Sequence, residues 1–354
     1  MRGLILSGGK GTRLRPITHT SAKQLVPVAN RPVLFYGIEA MAAAGVTDIG
    51  IIIAPETGDE IRTAAGDGSQ FGVQITYIVQ DEPAGLAHAV LTAESFLGSE
   101  PFVMYLGDNL LQGGIADLVA AFNTSEPDAL ILLTAVPDPE NYGVAELDGD
   151  RVVALSEKPP EPKTDLALVG VYMFMPVIHD AARAIEPSAR GELEITDAIQ
   201  HLVDSGRRVE PHIVQGWWKD TGRLDDMLEA NRLILDTIEE RIEGELTDAR
   251  VEGRVIVEPG ARLERCHVRG PAIIGAGAQL TDCYIGPYSA VGEGCIVRKA
   301  EIEHSILLSG ASVTDLGERL ESSLLGRNVK VVRDGGQPRA LRLLVGDNSE
   351  IAIP

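Results

Sequence analysis

Short apolar runs and segments of helical period alternate along the chain as far as Glu240. The run I-G-I-I-I-A has no polar position, as expected for a strand that is buried on both faces of a sheet. Runs of this kind predict strands at Leu4–Leu6, Asp48–Ala54, Val73–Val79, Pro101–Leu106 and Ala129–Val136. The segments between them predict helices from Arg31 to Ala44, Glu56 to Ala65, Ala84 to Phe96 and Ile115 to Phe122. This order predicts a doubly wound α/β sheet with parallel strands.

The pattern changes after Tyr142, where two segments of alternating apolar and polar residues flank a D-G-D turn. The elements predicted there are a hairpin that ends at Glu157, a strand at Leu168–Tyr172, and helices at Arg190–Val203 and Leu224–Glu240. The acidic residues of R-G-E-L-E-I-T-D suit the first turn of a helix, because the helix dipole favours negative charge at that end.

Helical periodicity disappears beyond Gly244, and short units such as I-I-G-A-G-A-Q-L and Y-I-G-P-Y-S-A-V-G recur. An aliphatic residue followed by Gly or Pro, at a spacing of about six, is typical of a β-helix built from hexapeptide-type repeats. The pattern loosens after Ile306. A chain of 354 residues is longer than one core usually supports, so we expect two domains, residues 1–243 and residues 244–354.

The composition excludes several classes of partner. A formal net charge of −21 argues against nucleic acid or an anionic membrane. No apolar run approaches the roughly 20 residues of a membrane span. Because Met1-Arg2-Gly3 leads directly into a predicted strand, we expect no signal peptide. Three cysteines without C-x-x-C spacing predict reduced thiols in a cytoplasmic protein rather than disulfides or a zinc site.

A glycine-rich loop follows the first predicted strand, with Gly8, Gly9 and Gly11 close together and Arg13 and Lys23 after them. Such a loop can bring backbone N–H groups and fixed positive charge to a phosphate-bearing ligand. The string fits neither a Walker A loop nor a dinucleotide fingerprint. A tight turn with surface cations is the alternative for this loop taken alone.

Polar residues follow two further predicted strands, so one cleft at the carboxyl ends could collect them. Gln80 can pair with a base edge, and Gly85 would allow a planar ring to approach. Asp108 suits Mg²⁺, which binds through few carboxylates plus phosphate oxygens. A polar loop and an Asx turn are the respective alternatives. His88, within the following helix, is expected to be a surface or packing residue.

Carboxylates and cations recur nearer the end of the first domain. Glu157 can accept hydrogen bonds from sugar hydroxyls, and Lys158 is a point charge for a phosphate, although an exposed ion pair is the plain alternative. In G-W-W-K-D-T-G, the tryptophans could form a wall beside a pocket, with packing as their default role. Asp220 in the same string is a second candidate metal ligand.

The string G-G-K-G-T-R-L-R-P, followed by S-A-K-Q-L-V-P, resembles the signature of sugar-1-phosphate nucleotidylyltransferases. Within them, the chain is most similar to glucose-1-phosphate thymidylyltransferases of the longer form, and Ser7, where alanine is common, is a small departure. The resemblance implies a Rossmann-like mixed α/β sheet domain followed by a left-handed parallel β-helix. It also implies transfer from dTTP, or alternatively UTP, to glucose 1-phosphate, a first step towards activated deoxysugars, by a homo-oligomer.

The resemblance further implies the residues of the site. The expected nucleotide-binding residues are Leu6, Gly8, Gly9, Gly11, Thr12, Arg13, Gln24, Gln80, Pro83, Gly85 and Asp108. The expected sugar-phosphate-binding residues are Asn109, Tyr142, Gly143, Glu157, Lys158, Val169, Gly170 and Arg190. The expected catalytic residues are Arg13, Lys23, Lys158 and Asp108, with Mg²⁺ on Asp108 and Asp220.

Two rival functions are compatible with the same motifs. A binding protein could keep the cleft without turnover, although it would have no need of the metal carboxylates. Alternatively, the β-helix could carry acyltransferase activity with His267 or His304 as the base, although a surface role is expected for both histidines. In the main hypothesis, an oxygen of the sugar phosphate attacks the α-phosphorus in line and pyrophosphate leaves, without a covalent enzyme intermediate.

Overall fold

A computed structural model describes residues 1–9, 11–19, 21–333, 345 and 349–352. The chain divides into two compact units. The first contains Met1–Lys10, Ser21–Leu25 and Val33–Asp220, and the second contains Gly11–Thr20, Val26–Pro32 and Thr221–Pro354. The second unit therefore begins before the predicted boundary at residue 243 and takes in two short stretches from near the N-terminus.

The elements before residue 240 are short, regular and close to those predicted. The strands are β1 (Arg2–Ser7), β2 (Pro27–Val28), β3 (Arg31–Pro32), β4 (Asp48–Ile53), β5 (Gln74–Val79), β6 (Phe102–Leu106), β7 (Asn109–Leu111), β8 (Ala129–Ala135), β9 (Gly143–Asp148), β10 (Arg151–Glu157), β11 (Leu166–Phe174), β12 (Val209–Ile213) and β13 (Trp218–Asp220). The helices are α1 (Val33–Ala43), α2 (Gly58–Ala65), α3 (Leu86–Thr92), α4 (Glu94–Leu97), α5 (Ala116–Ser125), α6 (Ile178–Ala184), α7 (Ile195–Asp204) and α8 (Leu224–Leu235).

The first unit is built on a mixed sheet in which β10, β9, β11, β6, β1, β4 and β5 are neighbours in that order, and β8 joins β11 to β12. Strands β5, β4, β1 and β6 run parallel, as the alternation of strands and helices predicts. Strand β11 is antiparallel to β6, β8 and β9, so the parallel pattern does not extend through the whole sheet. The mixed α/β sheet implied by the resemblance is confirmed.

Buried side chains form a core on each face of this sheet. One cluster joins Leu4, Phe102 and Phe174 with residues of α3, α6 and α7, and the other joins Ile5, Ile51 and Tyr105 with residues of α1, α2 and α5. Alternate residues of β1 thus serve opposite faces, which explains why the strand contains no polar position between Gly3 and Leu6.

Several helices differ in their bounds from the prediction, three of them for identifiable reasons. The segment predicted to start at Ala84 becomes helical only at Leu86, because Gly85 has a φ of +106°. Helix α7 starts at Ile195 rather than Arg190, because Leu193 donates from its backbone N–H to the Ala84 carbonyl at 2.8 Å in an extended contact. Helix α8 ends at Leu235 rather than Glu240, where the chain turns into the first coil of the repeats.

The repeats of the second unit form three parallel sheets. Their strands, in chain order, are β14 (Arg241–Ile242), β15 (Glu245–Thr247), β16 (Arg250–Glu252), β17 (Val255–Val257), β18 (Arg262–Glu264), β19 (His267–Arg269), β20 (Ala272–Ile274), β21 (Gln279–Thr281), β22 (Tyr284–Ile285), β23 (Ser289–Val291), β24 (Ile296–Arg298), β25 (Glu301–Glu303), β26 (Ile306–Leu307), β27 (Ser312–Thr314), β28 (Leu320–Glu321), β29 (Leu324–Leu325) and β30 (Lys330–Val332). Each strand pairs with the strand three places later, the arrangement of a β-helix.

The interior of the β-helix is a column of aliphatic side chains and buried cysteines, from Val255 to Val313. Coils continue to Val332, beyond Ile306, where the sequence pattern loosens. The parallel sheets are consistent with the left-handed β-helix that the resemblance implies. The second unit also contains α8, whose Asn231 accepts a hydrogen bond from the backbone N–H of Ala29 at 2.9 Å.

None of the described helices combines the length and the apolar character needed to cross a membrane.

Candidate active site

The carboxyl ends of β1, β5 and β6 lie along one edge of the first unit's sheet, because these strands and β4 run parallel within it. Gly8 follows β1, Gln80 follows β5, and Asp108 follows β6 after the turn residue Gly107. Gly107 donates from its backbone N–H to the Leu6 carbonyl at 2.9 Å. The structure therefore brings three of the predicted segments to one edge.

The side chain of Gln80 lies beside the glycine-rich loop. A Cβ atom placed on Gly8 would be 3.3 Å from the Gln80 Oε1 atom. The Gln80 Nε2 atom donates to the Gly85 carbonyl at 3.3 Å and lies 2.9 Å from the Nδ1 atom of His88. Because both acceptors hold the nitrogen, the carboxamide presents its oxygen towards Gly8.

Gly85 is required by a backbone contact as much as by any ligand. A Cβ atom there would lie 2.3 Å from the carbonyl oxygen of Leu193, and the φ of +106° already favours glycine. The same Leu193 carbonyl accepts from the N–H of Ala87 at 3.0 Å. The segment before α7 is thus fixed against the loop that carries Gln80, while Pro83 lies exposed on that loop.

Lys23 and Gln24 approach the loop from a short 3-10 helix, Lys23–Leu25. A Cβ atom on Gly9 would lie 3.0 Å from Lys23 Cε and 3.8 Å from Gln24 Nε2. Gln24 is 1% exposed, and its Oε1 atom has no hydrogen-bond partner among the residues that the structure describes. A buried acceptor in this position gains from a ligand that can donate to it.

Lys23 forms an ion pair with the Oδ2 atom of Asp108, and both side chains are largely buried. Burial alone would raise the pKa of the Asp108 carboxyl group, but the charge of Lys23 and hydrogen bonds from Lys23 and Asn109 outweigh burial and lower that pKa. Asp108 is therefore an anion held beside the loop by a cation, and that carboxylate already binds positive charge.

Asn109 connects this pair to two other strands. Its Nδ2 atom donates to Asp108 Oδ1 at 3.0 Å, while its Oδ1 atom accepts from Trp218 Nε1 at 2.6 Å and from the Gly170 N–H at 3.2 Å. Asn109 and Asp220 are paired residues of β7 and β13, and Asp108 directly precedes Asn109, so this pairing brings together the segments that carry the two candidate carboxylates. This pairing joins two residues that are far apart in the sequence.

Gly170 lies where β11 leaves the regular ladder with β8, between Leu168 and Tyr172. Its N–H is directed to Asn109 instead, and a Cβ atom there would be 2.6 Å from Asn109 Oδ1. The neighbouring Val169 is fully buried in the core. Only backbone atoms of Val169 are therefore suited to meet a ligand at this edge.

Glu157, at the end of β10, is the centre of the predicted sugar-phosphate group. It pairs with Gly143 across the hairpin, and a Cβ atom on Gly143 would lie 3.0 Å from Glu157 Oε2. Thr196 Oγ1 donates to Glu157 Oε2 at 2.7 Å, and Arg190 Nη2 donates to Glu157 Oε1 at 3.1 Å. Lys158 Nζ lies 3.8 Å from the same Oε1 atom.

Arg190 is held by a second carboxylate as well. Its Nη2 atom donates to the Oε1 atom of Glu194, a buried residue, at 2.8 Å.

Tyr142 packs edge-on against Trp218 with ring centroids 5.5 Å apart, which connects the hairpin to the Asn109 group. The predicted sugar-phosphate residues therefore form two connected clusters, one around Glu157 and one around Asn109.

Gly11, Thr12 and Arg13 belong to the second unit. Gly11 has a φ of +60°, and its carbonyl accepts from Thr18 Oγ1 at 2.6 Å. Thr12 and Arg13 are exposed in a 3-10 helix, Thr12–Leu14. The turn is therefore ordered by its own hydrogen bonds, and the side chain of Arg13 faces solvent.

Among the described residues, no group of three or more His, Cys, Asp or Glu side chains could hold a metal ion by itself. Mg²⁺ does not require such a group, because phosphate oxygens and water can complete the coordination of one or two carboxylates. Asp220 in β13 and Asp108, directly before β7, supply that number of carboxylates.

Sequence reasoning missed three polar side chains. His88 contacts Gln80 rather than serving only as a surface or packing residue, Trp218 donates to Asn109, and Thr196 donates to Glu157. The spacing of Gln80 and His88 could have indicated their contact, since His88 lies in the first turn of the helix that follows the loop. The other two contacts join distant parts of the chain.

Residues 2–237 match the family model described as nucleotidyl transferase, and the chain belongs to that family. Members of the family generally use a divalent metal. The glucose-1-phosphate thymidylyltransferases of Streptomyces griseus and Streptomyces antibioticus are 54% and 56% identical to it over 356 residues, covering 100% of this chain and 99% of each relative. The resemblance seen in the sequence is confirmed.

A solved structure supports the same fold for the first part of the chain. A Bacillus anthracis protein assigned to the glucose-1-phosphate thymidylyltransferases, in complex with sucrose, superposes with a TM-score of 0.64. It is 36% identical, and the match covers 68% of this chain and 98% of that chain. The region of the β-helix therefore lies largely outside this match.

Proposed function

We propose that this protein transfers a thymidylyl group from dTTP to glucose 1-phosphate, giving dTDP-glucose and pyrophosphate. The observation that carries the proposal is the edge at which Gly8, Gln80 and the Lys23–Asp108 pair meet. A base-pairing amide, a glycine-rich loop and a carboxylate for a metal are the parts that a nucleoside triphosphate requires. The two Streptomyces relatives match the whole chain, with more than half of the residues identical, and carry the corresponding activity in their names.

The oxygen of Gln80 is the proposed hydrogen-bond acceptor for the base. Thymine and uracil both carry an N3–H donor, whereas N3 of cytosine is an acceptor, so an oriented carboxamide oxygen favours the first two bases. Uracil lacks the methyl group of thymine, whose burial contributes only about 0.8 kcal/mol. UTP is therefore proposed as a slower donor than dTTP. Gln24, whose buried Oε1 atom needs a donor, is proposed to contact the same nucleotide.

Asp108 and Asp220 are the proposed ligands of Mg²⁺. The fit is supported by the ion pair with Lys23, since the Asp108 carboxylate already accepts a cation, and by the pairing of β7 with β13. When bound, the metal would neutralise charge on the phosphate oxygens of the nucleotide. Lys23 would then be freed to donate to a phosphate oxygen, which is the catalytic role expected for it.

The cluster around Glu157 is the proposed sugar-phosphate site. Glu157 accepts from Thr196 and Arg190 and can accept from sugar hydroxyls, while Lys158 and Arg190 supply positive charge for the phosphate. Catalysis then consists of positioning the phosphate oxygen for in-line attack and stabilising charge, without a protein nucleophile. Contacts of Arg13 and the loop amides with the triphosphate remain predictions from the sequence.

A matrix of nucleotides and sugars tests this function. Purified protein is incubated with dTTP, UTP, dCTP, ATP or GTP and one of several hexose 1-phosphates, with pyrophosphate and the nucleotide sugar both measured. We expect dTTP with glucose 1-phosphate to give the highest kcat/KM and UTP to be used measurably. A purine nucleotide as the best donor would reject the role of Gln80, and no pyrophosphate from any pair would reject the transferase activity itself.

We further propose that residues 1–243 carry the chemistry and that residues 244–354 form a β-helix domain that supports a homo-oligomer. Stacked coils bury their aliphatic column only when the ends are covered. The described cysteines are free and buried, as expected for a cytoplasmic protein. Light scattering of the full chain and of a chain that ends at Glu243 tests the assembly: a monomeric full chain, or an inactive but folded truncation, would contradict this proposal.

A further inference from the structure

Two of the three cysteines occupy equivalent positions on consecutive coils of the β-helix. Cys266 lies between β18 and β19, and Cys283 lies between β21 and β22. The parallel register on either side pairs Glu264 with Thr281 and His267 with Tyr284. The backbones of adjacent parallel strands lie about 4.8 Å apart, within the Cα separation of about 4.4–6.8 Å that a disulfide accepts.

The sulfur atoms of this pair are already close. Their Sγ atoms are 3.3 Å apart, and both residues are free thiols. Cys266 is 3% exposed and Cys283 is 7% exposed, so the pair is closed to large reagents. Both residues nevertheless line an open surface depression of about 620 Å³, a volume far larger than a molecule of hydrogen peroxide.

The two thiols differ in acidity. The hydrogen bond from Cys283 lowers the pKa of Cys266 to about 7 although burial opposes this effect. The same hydrogen bond, followed by burial, raises the pKa of Cys283. Because the thiolate is the nucleophile in oxidation and exchange, Cys266 is suited to attack, and Cys283 is suited to resolve the product.

The third cysteine provides a contrast within the same domain. Cys295 is fully buried, and its sulfur lies 3.2 Å from the carbonyl oxygen of Leu308. Burial raises its pKa. Cys295 is not among the residues that line the depression, so it is a matched control thiol.

We propose that Cys266 and Cys283 form an oxidation site for hydroperoxides, in which a reversible disulfide joins two coils of the β-helix. The Cys266 thiolate attacks one peroxide oxygen, the O–O bond breaks, and the departing hydroxide takes up a proton to form water. Cys283 then attacks the sulfur of the sulfenic acid, and its proton leaves with the second hydroxide as water. Two thiols and one hydrogen peroxide thus give one disulfide and two waters, the peroxide accepting two electrons.

The disulfide would act on the β-helix rather than on the chemistry at Gln80 and Asp108. It closes a loop between residues 17 apart, which restricts the unfolded chain and stabilises the coils that it joins. A dithiol reductant reverses the bond by thiol–disulfide exchange.

The test uses the full chain treated with increasing hydrogen peroxide, alkylated after denaturation and measured by intact mass. We expect loss of two alkylation sites and of two hydrogens, with Cys295→Ser behaving like the wild type and dithiothreitol restoring both sites. Cys283→Ser should instead yield a sulfenic acid on Cys266 that dimedone traps, whereas Cys266→Ser should yield neither product. Peptide mapping of the oxidised wild type identifies the linked pair even if a variant fails to fold.

Three outcomes would overturn the proposal. They are retention of all three alkylation sites at peroxide concentrations that oxidise a free thiol control, a linkage that joins different chains, and consumption of Cys295 at the same rate as Cys266. A higher thermal midpoint of the oxidised protein, absent in both single variants, would support the stabilising role.

Discussion

His88 helps to orient the Gln80 amide, and replacing it should alter the base selectivity that we propose for Gln80. The 2.9 Å contact between Gln80 Nε2 and His88 Nδ1 requires the histidine proton on Nε2, so that Nδ1 accepts. In His88→Leu, one of the two acceptors for the amide nitrogen is lost, and the carbonyl of Gly85 at 3.3 Å is the remaining one. The amide can then turn over and present its nitrogen instead of its oxygen.

The size of the effect follows from the hydrogen bond at N3. With the oxygen presented, dCTP places an acceptor against an acceptor, and an unsatisfied buried polar group costs about 1–3 kcal/mol, or roughly 5- to 150-fold in kcat/KM. Because Gly85 still favours the original orientation, we expect the ratio of dTTP to dCTP use to fall by about fivefold, the lower end of that range. The kcat for dTTP should change little, since base binding is shared by ground and transition states.

The assay is steady-state pyrophosphate release with dTTP and dCTP at saturating glucose 1-phosphate, for the wild type, His88→Leu and His88→Gln. A glutamine at residue 88 offers an acceptor oxygen again and should recover part of the selectivity, which a purely structural loss would not do. Gln80→Ala sets the limit, because it removes the base contact altogether and should raise the KM for dTTP. A ratio in His88→Leu equal to that of the wild type, with Gln80→Ala strongly affected, would refute the orienting role.

Three substitutions in the first unit test other contacts of the site and its sheet. Asp220→Asn should lower kcat by orders of magnitude and raise the Mg²⁺ concentration needed for half-maximal activity. Asp117→Asn is the exposed control, and an unchanged Mg²⁺ dependence of Asp220→Asn would rule out Asp220 as a metal ligand. Gly170→Ala places a Cβ atom 2.6 Å from Asn109 Oδ1 and should cost about 1–3 kcal/mol in urea unfolding, so full stability would contradict the geometry. Ser7→Ala removes a buried hydroxyl that lacks a partner in the described chain and should stabilise by about 1 kcal/mol; a lower urea midpoint would oppose this.

The part of the site that follows strand ends could be predicted from the sequence. Gln80 and Asp108 come directly after buried strands, and parallel strands place their carboxyl ends at one edge. No knowledge of side-chain contacts is needed for that step, since order along the chain and strand direction suffice. The same reasoning gives the repeats of the β-helix, because each coil contributes its own local pattern of aliphatic and turn residues.

The part that depends on contacts between distant residues could not be predicted. The pairing of Asn109 with Asp220 joins strands separated by most of the first unit, and neither β7 nor β13 has a strong pattern of its own. The antiparallel direction of β11 could not be predicted from the sequence either. A strand that is buried on both faces has the same apolar pattern in both directions. The direction of such a strand is determined by the connections around it.

Gly85, predicted from the sequence to let a planar ring approach, also has a backbone reason to be glycine. Its positive φ, and the 2.3 Å that would separate an added Cβ atom from the Leu193 carbonyl oxygen, show that glycine is needed where two chain segments meet. Those segments carry Gln80 on one side and, through Glu194, the hydrogen bonds of Arg190 on the other. We therefore expect a substitution at Gly85 to disturb the proposed base and sugar-phosphate contacts together, and parallel increases in both KM values would distinguish this coupling from a role confined to the base.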